Sequence, residues 1–383
     1  MNKVVYIHLL DCSGSIEEIL YIDHLLSNAI EVEFWDISSL YPRPTTKEIA
    51  INAEIIVTIK SKDAFREKIK SQDKKNTIFI NLFTYTWDTL WIDRLLKTNK
   101  CQTGWLDRLG LPADPQPSAV RKIYQFLSKP KLDSLLKALA HRLSRFLKKI
   151  GYIPEPTVVF AAGLFSINHY KKISKVVEIN HFDYENYLLT SDDGKSTVEG
   201  TYAVFLDEYN PYHPDFDLLK MKKVEPIAYY HGLNKFFNRV EKLYNTKIVI
   251  ALHPTSNYKT DVYEGREMQK SNSNKLVREC KFVLVHGSTS LSFAVLHSKP
   301  IIFLINDQFE DIYKHTKLRL IQRLAKMLKG SIYNVDRIQD DEEIVLRGVN
   351  MQAYEYFKFQ YLTSPKSENK LTKHLFLDYL KKH

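Results

Sequence analysis

The stretch VLVHGSTSLSFAVLHSKPIIF, residues 283–303, decides how the chain reads. An apolar run of strand length ends in His286-Gly287-Ser288-Thr289-Ser290. A helix-like apolar segment follows, and Lys299-Pro300 opens a second apolar run. Strand, helix and strand in that order predict a parallel sheet covered by helices. The turn carries chemistry as well. The leading N–H groups of a helix lack intrahelical partners, and the helix dipole leaves partial positive charge there. Hydroxyls at the same point add donors, so a phosphate is well held. One hydroxyl suffices for a helix cap, whereas Ser288, Thr289 and Ser290 stand in a row after Gly287. The turn reads as a phosphate site.

Outward from this stretch the same alternation recurs. Strand-like runs occupy 3–10, 31–37, 53–60 and 76–82, then 157–163, 174–180, 201–209, 246–254 and 281–287, with 299–305 after them. The class is α/β with mainly parallel sheets. LPADPQPS at 111–118 is a proline-rich break, and GYIPEP at 151–156 reads as a linker. The expected domains are therefore 1–150 and 157–370, followed by a short C-terminal helix at 371–383. Residues 131–150 place eight apolar side chains, from Leu132 to Ile150, on one helical stripe, with Lys137, Arg142, Arg145, Lys148 and Lys149 on the other face. Such a helix either packs on a core or rests on an anionic membrane surface.

Composition sets outer limits. The chain has 383 residues, 44% hydrophobic and 26% charged, with a formal net charge of +10. Those values describe a globular protein with real cores and an anionic partner. The basic charge is spread out and no nucleic-acid motif is present, so nucleic acid is not the expected partner. Cys12, Cys101 and Cys280 match no zinc or redox spacing, which fits a reduced, cytoplasmic setting. The apolar run at the start is too short for a signal peptide, and nothing approaches the ~18 apolar residues of a membrane span.

Ligands of open α/β sheets bind beyond the carboxyl ends of the strands. Three such ends carry reactive side chains. VFLDEYNPYHPDF (204–216) offers Asp207, Glu208, Tyr212, His213 and Asp215; VIALHPTSNY (249–258) offers His253, Pro254, Thr255 and Ser256; the third is the hydroxyl turn. Asp207 or Glu208 can take a proton from an attacking hydroxyl, and alternation along a strand lets only one of them face the site. Asp207 is the expected one. His253, directed by Pro254, can donate to a phosphate or protonate a leaving one. His286 is expected to be a buried partner of the turn. Gly287-Ser288-Thr289-Ser290 is not a hydrolase elbow, and there is no P-loop or well-placed dinucleotide fingerprint.

As an ordered set, the acidic pair, His-Pro and Ser/Thr motifs resemble bacterial sialyltransferases and related nonulosonic-acid and Kdo transferases of the GT-B type. The longer phrases, with YEGREMQ at 263–269, are similar to proteins of bacterial surface-carbohydrate biosynthesis. The resemblance covers residues 157–305. It implies two Rossmann-like domains with a cleft between them, Asp207 as base and His253 as phosphate contact and acid. It also implies that Ser288, Thr289 and Ser290 bind the phosphate of a CMP-activated sugar. The implied reaction inverts the anomeric centre and passes an acidic sugar to a surface glycan or lipid-linked acceptor at the inner membrane, with no cofactor or metal. One departure stands out: Tyr209 follows the acidic pair where those transferases carry glycine. That leaves the sugar and the choice between Asp207 and Glu208 open. A UDP-sugar or CDP-alcohol donor, or a non-catalytic assembly protein of the same fold, are the alternatives.

Overall fold

A computed structural model describes residues 1–9, 18–41, 53–83, 87–108, 110–112, 143, 146–147, 149–152, 154–190, 198–214, 216, 222–339 and 341–383. The expected helix at 131–150 falls mostly outside these residues, as do Cys12, Asp215 and the proline-rich break. The described chain forms two units, each built on a wholly parallel sheet.

The first unit holds β1 (Lys3–His8), β2 (Glu31–Asp36), β3 (Ile56–Thr58), β4 (Thr77–Asn81), β5 (Gln102–Asp107), β6 (Val158–Ala162) and β7 (Lys175–Ile179). Their spatial order is β3-β2-β1-β4-β5-β6-β7. This corrects the expected boundary. β6 and β7 do not open the second domain; β6 pairs with β5 from Gly104↔Val158 onward and β7 pairs with β6. β5 hides in the sequence because QTGWLD has no apolar run. Its glycine has a packing reason: a Cβ at Gly104 would lie 3.1 Å from Ile80 and 3.2 Å from Ile78. The closing segment Ser364–His383 also joins this unit. Its helix Thr372–Lys382 lays Phe376 and Tyr379 edge-on against Phe160 of β6, at 4.6 and 5.3 Å between centroids.

The second unit comprises His181–Thr363 and the short stretch at 110–112, with β8 (Tyr202–Leu206), β9 (Lys247–Leu252), β10 (Met268–Lys270), β11 (Val283–Val285), β12 (Ile301–Ile305) and β13 (Ser331–Asn334). Every residue of β8, β11 and β12 is buried, as expected for strands covered on both faces. The order β10-β9-β8-β11-β12-β13 is the dinucleotide-fold order, first strand beside fourth. Chain direction along the sheet reverses between β8 and β11, and such a switch point opens a crevice at the strands' carboxyl ends. The acidic pair follows β8 and the hydroxyl turn follows β11. The sequence's strongest motifs thus flank the switch point. No helix among the described residues is long and apolar enough to cross a membrane.

Candidate active site

At the switch point lies an open cavity of about 340 Å³, lined by Glu208, His213, His253, Ser288, Thr289 and Lys317, with Asn210, Thr316, Phe216 and Tyr313 completing the wall. The ends of β8, β9 and β11 therefore converge, as the motif order predicts. Their side chains divide differently from the expectation.

Asp207 does not line this cavity. It is buried, and its carboxylate accepts hydrogen bonds from the phenols of Tyr258 (2.8 Å) and Tyr263 (3.0 Å), from the Tyr209 N–H (2.9 Å) and from the His253 backbone. Burial raises its pKa, with these donors pulling against the rise. The bond to the Tyr209 N–H is an Asx turn, which folds Asp207 back onto its own backbone and leaves Glu208 to face outward. Tyr209 itself has φ 53, the left-handed region that favours glycine. It stands at the position where the sequence resemblance would place glycine. The Tyr209 phenol donates to the Asn257 carbonyl (3.3 Å), and its ring meets Tyr258 at 5.0 Å. Asp207 ties the end of β8 to the start of the His253 turn.

Glu208 faces the cavity but is already engaged. It pairs with the Lys317 ammonium and accepts from the Gly287 N–H at 2.6 Å. Desolvation pushes its carboxyl up, yet Lys317 and the bonds it receives outweigh that and hold the pKa below the ordinary glutamate value. This also corrects the expectation for Gly287, whose N–H is spent on Glu208 rather than on an anion. Lys317 is the first residue of the helix Lys317–Leu328, an end where the dipole disfavours a cation. Glu208 compensates it, and Asn210 takes a further bond from the ammonium at 2.5 Å.

His253 and His213 are neighbours in the cavity wall, with ring centroids 4.8 Å apart. The Thr255 N–H donates to His253 Nδ1 (3.2 Å) and the Thr255 hydroxyl lies 2.9 Å from it, which places the neutral ring's proton on Nε2. Pro254 and Thr255 are exposed in the turn beyond, and Ser256 is buried. Ser288 and Thr289 line the cavity, whereas Ser290, which does not line it, donates its N–H to Ser288 Oγ at 3.3 Å. His286 is fully buried. It lies 2.7 Å from the Leu304 carbonyl through Nδ1 and 3.0 Å from the Tyr229 phenol through Nε2. Burial lowers its pKa to about 4, so it stays neutral. Lys317, Thr316 and Tyr313 carry no sequence signal because they lie beyond the last motif, Tyr313 at the end of the helix Asp307–Ile312 and Thr316 and Lys317 at the start of an ordinary amphipathic helix.

No protein-family model and no curated protein matches the chain. Solved structures match it in fold. The wall teichoic acid polymerase TagF superposes in one variant with a TM-score of 0.53 at 11% identity, over 100% of this chain and 88% of that one. A second TagF variant gives 0.52 at 9%, over 100% and 89%. The spinosyn forosaminyltransferase SpnP gives 0.46 at 10%, over 99% and 98%. The likeness is one of fold: two Rossmann-like domains of the GT-B class.

Proposed function

We propose that the chain is an inverting glycosyltransferase that moves an acidic sugar, a nonulosonic acid or Kdo, from a CMP donor to a surface glycan. What carries this reading is the convergence of His213, His253, Ser288 and Thr289 on one cavity at the switch point of the second sheet. A sugar joined to CMP through its anomeric carbon leaves with a single phosphate. Nε2–H of His253 and the hydroxyls of Ser288 and Thr289 would meet the charge that develops on it. The acceptor hydroxyl bonds to the anomeric carbon as the carbon–oxygen bond to phosphate breaks. His213, an imidazole beside His253, takes the hydroxyl proton. Asp207 and Glu208 hold the two turns in place and do not exchange protons. Attack from the face opposite the phosphate inverts the anomeric centre. The TagF fold supports transfer to a surface polymer.

The test has two parts. Thermal-shift titrations with CMP, CDP and UDP identify the nucleotide, since only a true ligand stabilises the fold in a concentration-dependent way. Transfer from CMP-sugars by His253→Ala and His213→Asn then tests the chemistry. Stabilisation by UDP or CDP alone would redirect the reading to a UDP-sugar or CDP-alcohol donor. Undiminished transfer by both variants would end it.

A further inference from the structure

The helix Lys317–Leu328 that presents Lys317 to the cavity has a second face. Leu318, Ile321, Leu324, Ala325 and Leu328 turn inward and are buried. Arg319, Arg323 and Lys326 are exposed on the other side, and Lys329 caps the helix in a left-handed conformation, φ 57. Two open cavities, of about 370 and 510 Å³, flank this face and share Lys326 and Lys329. Arg347 lines the first and Arg323 the second, and among the described residues no carboxylate lines either. None of Arg319, Lys326, Lys329 and Arg347 forms an ion pair among the described residues. Apolar side chains stand between the cations: Ile332 in the first cavity and Tyr356 in the second are exposed, as is Met351 nearby.

Four cations that form no ion pair among the described residues, Arg319, Lys326, Lys329 and Arg347, attract a polyanion. Cations interleaved with exposed tyrosine and aliphatic groups fit a narrower partner, a bilayer surface with anionic headgroups, where the apolar groups enter the acyl boundary. A soluble anionic polymer would give Ile332, Met351 and Tyr356 nothing to bury against. We propose that this face of the second unit docks on an anionic lipid surface. The helix, roughly 18 Å long, then lies along the membrane with its first residue in the cavity wall, and transfer takes place beside the lipid. The docking face is distinct from the residues that perform transfer, so it can be tested without turnover.

The experiment is co-sedimentation of the full chain with phosphatidylglycerol-containing vesicles and with phosphatidylcholine vesicles. Wild-type protein is expected to bind the anionic vesicles only and to leave them at about 0.5 M salt, where the Debye length falls to a few ångströms. The triple variant K326Q/K329Q/R347Q should bind about 100-fold more weakly, each basic residue near the surface being worth roughly fivefold. Its melting temperature should hold, because all three side chains are exposed. Arg347→Gln alone, outside the helix, should lose about fivefold and keeps the test open if the triple variant melts early. His253→Ala, inactive on the reading above, should bind vesicles fully, which separates failure of docking from failure of the transfer assignment. Three results overturn the proposal: no binding of wild type to anionic vesicles, equal binding by the triple variant, or capture by heparin without capture by vesicles.

Discussion

Replacing Lys317 by methionine removes the cation that pairs with Glu208 among the described residues. The pair is mostly shielded, with 13% of the Glu208 side chain and 21% of the Lys317 side chain exposed. Stripping one member from a fully buried pair costs about 3–5 kcal/mol, because the remaining charge stays desolvated. The residual exposure here brings the expectation down to roughly 2–3 kcal/mol. For a unit of this size that is a fall of about 5–10 °C in melting temperature. Lys317→Met with Glu208→Gln leaves no stranded charge, so the double variant should recover most of the loss. The coupling read from urea melts at neutral pH should exceed about 1.5 kcal/mol. The pH dependence has a definite sign. Glu208 titrates lower folded than unfolded, so its contribution is present above the ordinary glutamate pKa and is lost as pH falls through the depressed folded value. Lys317→Met should erase that acid limb. Additive single variants, with coupling under about 0.5 kcal/mol, would refute the claim that this pair holds the turn together.

Asp183 is buried beside Ser292, which donates to it, and burial raises its pKa to about 6. A raised carboxyl adds stability below its unfolded pKa and loses it as pH rises through 6, so Asp183→Asn should stabilise the protein by up to about 3 kcal/mol at pH 8 and by almost nothing near pH 3.5. Melts across that range decide it, and a constant offset would count against the burial argument. Asp207→Asn presents an amide donor to phenols that also donate; it should cost about 1–3 kcal/mol yet keep transfer within about tenfold, whereas His253→Ala should lose at least about 100-fold. Steady-state rates beside melting curves distinguish the two, and the reverse pattern would restore Asp207 as the base. A Cβ on Gly330 would sit 2.8 Å from the Phe303 ring and 2.9 Å from the Ile301 carbonyl. Gly330→Ala should therefore destabilise by about 1–3 kcal/mol, visible as a lower urea midpoint; an unchanged midpoint would show that β12 and β13 can part without cost.

Much of the second unit is readable because buried parallel strands are nearly continuous apolar runs: YAVFL, KIVIAL and IIFLI announce themselves. β10, with MQK, is a three-residue edge strand that displays no run at all. β13, SIYN, is half exposed, and β5 has polar and glycine residues where its neighbours press in. Missing β5 moved the boundary, since Val158–Ala162 then had no earlier strand to join. The site was legible to the level of strand ends and no further. Alternation predicts that only one of Asp207 and Glu208 faces the cavity, but which one is decided by an Asx turn and a left-handed tyrosine that no periodicity encodes. Lys317 had no local signal, because what makes it notable is Glu208, 109 residues earlier in the chain.

The first unit recruits residues 364–383 from beyond the whole of the second. Asn180 fastens this return, its amide donating to the carbonyls of Ser367 (3.0 Å) and Lys370 (2.6 Å). On the ribosome, then, the part begun first is finished last. β1–β7 emerge early but wait with one side of β6 uncovered until Phe376 and Tyr379 arrive, while the intervening unit has every strand it needs. A nascent chain stalled short of residue 364 should hold a finished second unit and an unfinished first one. Expression of residues 1–180 alone should likewise yield a sheet with a bare aromatic flank, prone to stick to its own kind.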